Sequence, residues 1–191
     1  MYIIESERLG FRLWKDEDRA PFAKMNADPQ VMKYFPSVLT KEQSDQFVDR
    51  ITKHFQHCGF GLWAVETKDA RDFIGFIGFY TATFEAAFTP CVEIGWRLSN
   101  RFWNKGYASE GASRCLHYGF DVLDLDEIYS FTSTLNKASI RVMQKIQLRE
   151  HDHFDHPNIA CGNPLRPHIL YKTDKEEFQR MSVKKAAGGY E

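Results

Sequence analysis

The sequence has no uninterrupted apolar run near the ~20 residues that a membrane-spanning helix needs, so it does not predict a membrane protein. It also has little net charge, because 25 lysines and arginines stand against 26 aspartates and glutamates. Without a basic excess, we expect neither nucleic acid nor an anionic membrane as the main partner. Any site for an anion must therefore be local.

The four cysteines are widely spaced and include no C-x-x-C pair, which argues against a disulfide framework and a cysteine-bound zinc site. No complete G-x-x-x-x-G-K-[ST] or G-x-G-x-x-G motif occurs, which disfavours a P-loop and a dinucleotide fingerprint. The opening stretch MYIIESERLGFRLWKDEDR lacks the apolar core and cleavage site of a secretory signal. We expect a cytoplasmic protein that binds no metal.

The length of 191 residues suits one domain with one sizeable core. Periodicity and turn signals predict a strand at 8–14, helices at 16–25 and after Thr40, three strands between 62 and 98, a helix at about 106–123, a strand at 127–133, a helix from Asn136 and a strand at 168–172. This order is α+β, or mixed α/β. We expect a single domain over 1–175, then the end of a C-terminal helix and a disordered tail over 176–191.

The stretch RFWNKGYASEG places two cations, Arg101 and Lys105, in front of a glycine where a loop becomes a helix. The first N–H groups of a helix have no partner within the helix and carry partial positive charge, so they attract anions. Gly106 lets the backbone approach a phosphate that a Cβ would hold away. An ordinary strand-to-helix turn with surface cations is the alternative interpretation.

Two longer runs, EIGWRLSNRFWNKGYASEGASRCLHYGF and YSFTSTLNKASIRVMQKIQL, resemble the GNAT acyltransferase superfamily and, within it, the RimJ/RimL-type branch that acetylates the N-termini of ribosomal proteins. The family's phosphate loop, Gln/Arg-x-x-Gly-x-Gly/Ala, is matched at 103–108, and its Asn-x-x-Ser signature at 136–139. The resemblance extends from about 7 to 172. It implies the GNAT fold, a twisted and mostly antiparallel mixed sheet flanked by helices. Trp103 departs from the leading Gln/Arg, and Gln147 from a helix-ending glycine.

This resemblance implies that acetyl-CoA is the cosubstrate, with its pyrophosphate held by backbone N–H groups of the loop and its pantetheine paired with the strand EIGWRL. The implied cofactor-binding residues are Trp96, Arg97, Leu98, Arg101, Asn104, Lys105, Gly106, Tyr107, Ala108, Ser109, Asn136 and Ser139. Backbone N–H groups near Arg97 and Leu98 are candidates for polarising the thioester carbonyl.

Three residues are candidates for catalysis. Glu93 lies beside the expected thioester position and could accept the proton of the amine, or it could be a solvated strand residue. By resemblance, Ser139 returns a proton to the CoA sulfur, although it and Asn136 could serve only the start of their own helix. Tyr129 is the fallback proton donor, with a core position as its alternative.

The tract HDHFDHPN, at 151–158, could place His151, His153 and Asp155 on one face of an extended segment. A metal site there lacks a second motif to support it. By resemblance, this tract and residues 26–40 lie near the acceptor pocket. The expected function is N-acetylation of a primary amine, either a protein N-terminus (ribosomal or other) or a small molecule. A non-catalytic acyl-CoA-binding module is the alternative, and a homodimer is compatible with the resemblance.

Overall fold

The computed structural model describes residues 1–187. The strands are β1 (Ile4–Glu5), β2 (Leu9–Arg12), β3 (Leu62–Thr67), β4 (Phe73–Ala82), β5 (Cys91–Leu98), β6 (Glu127–Ser133), β7 (Arg149–Asp155) and β8 (Pro167–Asp174). The α-helices are α1 (Arg19–Asn26), α2 (Lys41–Cys58), α3 (Tyr107–Asp121), α4 (Lys137–Lys145) and α5 (Lys175–Ala187). Two short 3-10 helices lie at Asp16–Asp18 and Asn100–Phe102.

The strands form one sheet in the order β1-β2-β3-β4-β5-β6-β8-β7. All neighbours are antiparallel except β5 and β6, which are parallel and pair at the single position Glu93↔Tyr129. Beyond that position the two strands separate, so the sheet opens near its middle. The predicted α+β fold, with a mostly antiparallel mixed sheet flanked by helices, is confirmed.

The two faces of the sheet are covered by different helices. On one face, Ala112 and Leu116 of α3 join Ile94 of β5 in the main core. On the other, Phe22 of α1 and Ile51 of α2 pack in a second cluster against β3 and β4. Because side chains alternate along a strand, β5 contributes to both faces.

Local sequence signals set the helix ends where they were expected. Thr40 Oγ1 accepts from the N–H of Gln43 at 3.2 Å, and Gln43 Oε1 accepts from the N–H of Thr40 at 2.9 Å, which completes the predicted capping box of α2. Gly59 ends that helix in the left-handed conformation. Gln147 also has a left-handed φ of 66°, as expected where it replaces a helix-ending glycine.

The structure extends and corrects the predicted elements. Residues 151–155 are extended, as considered for the tract at 151–158, and belong to β7, which pairs with β8 along the sheet edge. Nearly all side chains of β7 are exposed. Its sequence therefore lacks the alternation of apolar and polar residues that predicts a half-buried strand. The strand predicted at 8–14 is shorter, as β2 (Leu9–Arg12), and it follows a short strand that was not predicted, β1 (Ile4–Glu5). Helix α5 continues to Ala187, through residues expected in the disordered tail, while 188–191 lie outside the described residues.

None of the helices in the described part of the chain is long and apolar enough to cross a membrane.

Candidate active site

A cavity of about 810 Å³ opens where β5 and β6 separate. The sequence-predicted residues in its lining are Glu93, Trp96, Arg97, Leu98, Asn104, Gly106, Tyr107, Ala108, Ser109, Asn136 and Ser139. The predicted acceptor segments also contribute, through 30–31, 33–36, His156 and Asn158. Arg101, Lys105 and Tyr129 do not line the cavity. The fold therefore brings most of the predicted site to one place.

The edge of β5 that faces the opening is identified by two hydrogen bonds. The carbonyl of Ile94 accepts from Ser130 Oγ at 2.9 Å, and the carbonyl of Leu98 accepts from the indole Nε1 of Trp103 at 2.8 Å. Both carbonyls therefore point away from β4. Because backbone groups of alternate residues point the same way in an antiparallel pair, those of Trp96 also face the gap that β6 has left. This edge can accept an extended amide chain as an added strand.

The start of α3 offers free backbone donors to the same cavity. Gly106 has a left-handed φ of 83°, and the first backbone hydrogen bond of the helix runs from Glu110 N–H to Gly106 O. Within the described residues, the N–H groups of 106–109 donate to no protein acceptor. Four consecutive unpaired donors at a helix N-terminus form a binding corner for an anion.

Two arrangements around this corner could not be read from the motif. The indole of Trp103, which departs from the family's Gln/Arg, ties the loop to β5 through its bond to Leu98. Arg8 lies over the ring of Tyr107 at 4.5 Å and pairs with Glu110 at 2.6 Å. Burial alone raises the pKa of Glu110, but hydrogen bonds from Ser6 and Arg8 lower it overall, so the ion pair persists at neutral pH.

The Asn-x-x-Ser motif forms the start of α4. Asn136 Oδ1 accepts from the N–H of Ser139 at 3.2 Å, so Asn136 is the N-cap, and its Nδ2 donates to Ser139 Oγ at 3.0 Å. The hydroxyl proton of Ser139 remains available to another acceptor. One turn further, the exposed side chains of Arg141 and Lys145 also line the cavity. The sequence analysis did not include Arg141 and Lys145 in the site. Residues four apart lie on the same face of a helix, so the sequence does indicate that these two cations lie together.

Glu93 and Tyr129 are register partners with different surroundings. Glu93 lines the cavity without a hydrogen-bond partner among the described residues, and burial raises its pKa from 4.5 to about 8. Tyr129 is 6% exposed, and its hydroxyl donates to Glu127 at 2.9 Å. Burial, reinforced by that hydrogen bond, raises the pKa of Tyr129 to about 12. The structure therefore places Glu93, but not Tyr129, in the cavity.

Of the four histidines near the expected acceptor pocket, two line the cavity and two do not. His151 and His153 are exposed on β7 and lie outside the lining. His156 and His168 line the cavity with ring centroids 5.0 Å apart. Burial, and then the neighbouring His168, lower the pKa of His156 to about 4, so it is neutral at pH 7. Among residues 1–187, no group of three or more His, Cys, Asp or Glu is placed to hold a metal ion.

An opened sheet, a free strand edge and a helix start with unpaired N–H groups all face one cavity, which can therefore bind an anion next to an extended amide chain, as the expected acyl-CoA cosubstrate requires. Residues 8–149 match the family model described as an acetyltransferase (GNAT) domain, and the chain therefore belongs to the GNAT acetyltransferase family. Acetyl-CoA is the acetyl donor of this family.

Known proteins are similar to this chain in sequence or in fold. It is 34% identical to the uncharacterized N-acetyltransferase YnaD of Bacillus subtilis over 176 residues, which cover 92% of this chain and 98% of that protein. It is similar to the crystal structure of a GNAT-family acetyltransferase from Bacillus anthracis, with a TM-score of 0.77, 31% identity and coverage of 91% and 99%. A Vibrio cholerae spermidine N-acetyltransferase in complex with CoA and spermine shares the fold, with a TM-score of 0.71, 16% identity and coverage of 90% and 98%.

Proposed function

We propose that this protein transfers the acetyl group of acetyl-CoA to a primary amine by direct attack in a ternary complex. The observation that carries the proposal is the set of unpaired N–H groups at 106–109, which opens into the same cavity as the free edge of β5 and Glu93. The matches at 103–108 and 136–139 favour the RimJ/RimL-like branch of the family.

In this proposal the N–H groups of 106–109 bind the pyrophosphate of the cofactor. Gly106 is required because its left-handed backbone is strained for other residues, and a side chain there would project toward the phosphates and toward Nη2 of Arg8, which lies 3.4 Å from the position of a Cβ. Arg8, Arg141 and Lys145 add positive charge around the opening. Since Arg141 and Lys145 are exposed, their contribution to cofactor affinity weakens as salt concentration rises.

The pantetheine arm pairs with the free backbone edge of β5 at Trp96. The N–H of Leu98 faces the same gap by strand alternation, whereas the backbone of Arg97 faces β4. Donors on this edge polarise the thioester carbonyl as negative charge develops on its oxygen. The side chain of Arg97 lies on the opposite face of the sheet from α3, so it contributes separately from the backbone.

The amine must lose a proton to attack the thioester. We assign this step to Glu93, directly or through water, because a carboxylate with its pKa near 8 is well matched to proton transfer near neutral pH. The departing thiolate takes a proton through Ser139, whose hydroxyl hydrogen is free because its oxygen already accepts from Asn136; water returns a proton to this hydroxyl, and Glu93 releases the proton of the amine to solvent. A thiol with a pKa near ~8.5 is a fair leaving group, so a hydroxyl donor is sufficient.

The acceptor is either a protein N-terminus or a small amine, and the charge of the cavity disfavours a polyamine. With Arg141 and Lys145 assigned to the cofactor, its lining still has two cations, Lys33 and Arg97, and one acid, Glu93. A polycation would meet repulsion there that a neutral or acidic amine would not.

Calorimetry with CoA tests the site, and thiol release from acetyl-CoA tests the reaction. Gly106→Glu should abolish CoA binding without unfolding the domain, because its carboxylate would repel the pyrophosphate. Gly162→Glu is the matched control: Gly162 also has a left-handed φ, 80°, but lies outside the cavity lining in open space. Equal CoA affinity in Gly106→Glu and wild type would refute the phosphate assignment, and CoA binding without turnover on any amine would identify a non-catalytic module.

A further inference from the structure

Arg97 is a buried charge with no acidic partner. Its side chain lines the cavity, the residue is 8% exposed, and Nη1 donates to Asn26 Oδ1 at 2.7 Å. Its Nε is buried and has no hydrogen-bond partner. No carboxylate among the described residues forms a salt bridge with it, and Nη2 makes no hydrogen bond within the same part of the chain. Four of its five N–H donors are therefore unused.

Arg12 is a second buried arginine, and unlike Arg97 it has acidic partners. It is also 8% exposed, but it pairs with Asp18 at 2.7 Å and with Glu66 at 2.6 Å. The hydrogen bond that Arg12 donates to Asp18 is the main cause of the raised pKa of Arg12. In contrast, burial lowers the pKa of Arg97 to about 10, which still leaves it protonated at neutral pH. An unpaired buried charge is destabilising, so a packing role alone does not explain it.

The free donors of Arg97 match one kind of ligand. Nη1 and Nη2 each keep an unused N–H, and neighbouring N–H groups of the planar guanidinium form a fork complementary to the two oxygens of a carboxylate, whereas Nε is fully covered and takes no part. The group is held in place by three aromatic rings, with its Cζ 4.1, 5.5 and 5.6 Å from the ring centroids of Phe35, Phe47 and Phe76. An anion bound there would meet a fixed donor pair with little ordering cost.

The position of Arg97 separates this anion from the phosphates of the cofactor. Leu98 and Ile94 pack on the α3 side of β5, whereas Arg97 contacts Asn26 of α1 and Phe47 of α2 on the other side. The unpaired N–H groups of 106–109 belong to the α3 side. A second anion therefore has its own place, in the part of the cavity formed by residues 30–31 and 33–36, which sequence analysis assigned to the acceptor.

We propose that Arg97 binds a carboxylate carried by the acceptor, so that the substrate of this enzyme is a small amine that also bears a carboxylate. The inference rests on the proposed N-acetyltransferase function and specifies its substrate class. A small molecule is favoured over a polypeptide chain because Arg97 is almost wholly covered, with the ring of Phe35 against its guanidinium. Arg97 is thus a specificity-determining residue.

Matched acceptors test this assignment. Thiol release from acetyl-CoA is measured with glycine, β-alanine and 4-aminobutyrate, each compared with its own amide, which keeps the amine and removes the negative charge. The wild type should favour at least one acid over its amide by about 10- to 100-fold in kcat/KM, the range expected for a charged hydrogen-bonded pair. Arg97→Gln should reduce that ratio to about one.

Two further variants keep the result interpretable. Arg97→Lys preserves the charge but not the fork, so it should retain part of the preference and supplies a second variant if Arg97→Gln does not fold. Arg180→Gln removes an exposed arginine of α5 and should leave the ratio at the wild-type value. Calorimetric affinity for CoA should be unchanged in all three variants.

The outcomes separate this inference from the proposed function. If the wild type acetylates amides as well as acids, or if Arg97→Gln keeps the preference, the carboxylate assignment is wrong while N-acetylation stands. If Arg97→Gln instead weakens CoA binding, the arginine belongs to the cofactor site and the assignment is also wrong. If the wild type acetylates no amine at all, the proposed function itself fails and the inference fails with it.

Discussion

Replacing Glu93 by glutamine should make the protein more stable at pH 8 than the wild type, although it removes the proposed catalytic base. The reason is that burial raises the pKa of Glu93 from 4.5 to about 8. Between these values the unfolded chain releases the proton and the folded chain keeps it. The unfolded state is therefore favoured progressively, and the wild-type free energy of unfolding falls as pH rises from about 4.5 to about 8.

The size of the effect follows from the same two values. One pKa unit corresponds to ~1.36 kcal/mol, so the full shift sets an upper figure of roughly 5 kcal/mol above pH 8. Part of this loss falls outside the measured range, so the two pKa values give at most about 3–4 kcal/mol between pH 5 and pH 8. Glutamine has nearly the same shape and does not ionise. The stability difference between Glu93→Gln and the wild type should therefore grow by up to this amount between pH 5 and pH 8.

Urea unfolding followed by tryptophan fluorescence at pH 5, 6, 7 and 8 measures this difference. Glu85→Gln is the matched control, because Glu85 is exposed and makes no hydrogen bond or ion pair among the described residues. Its effect should be small and the same at every pH. A Glu93→Gln difference that does not change with pH, or a variant less stable than the wild type at pH 8, would show that Glu93 is well solvated or paired and is not the buried carboxyl described above.

The remaining predictions concern turnover and the paired arginine. Ser139→Ala should keep the wild-type affinity for acetyl-CoA and lower kcat by about 100-fold, within the range for a positioned proton donor; wild-type turnover would transfer that role to water. The pH profile of kcat/KM should rise as pH approaches 8 and Glu93 ionises, and a flat profile from pH 6 to 9 would exclude Glu93 as the base. Arg12→Met should cost about 3–5 kcal/mol in urea unfolding because it leaves Asp18 and Glu66 buried without a partner, and a loss below about 1 kcal/mol would contradict this.

The features that the sequence alone determined are those whose interactions are local in the chain. The capping box at Thr40 and the N-cap at Asn136 join groups three residues apart, so their residue types are enough to predict them. Strand alternation and the glycine before α3 likewise located β5 and the start of α3 with its unpaired N–H groups. For the same reason, the motifs at 103–108 and 136–139 were sufficient to indicate the superfamily.

Tertiary structure decided what depends on groups distant in sequence. The packing of strands and helices decides that the hydroxyl of Tyr129 bonds to Glu127 and does not face the cavity. It also decides that Arg8 lies over the ring of Tyr107. The absence of an acid beside Arg97 within the described chain depends on every element around it, since Arg12 has a similar local sequence setting in a strand and does find partners. Burial and charge pairing are properties of the packed fold, and a pattern of neighbouring residues does not contain them.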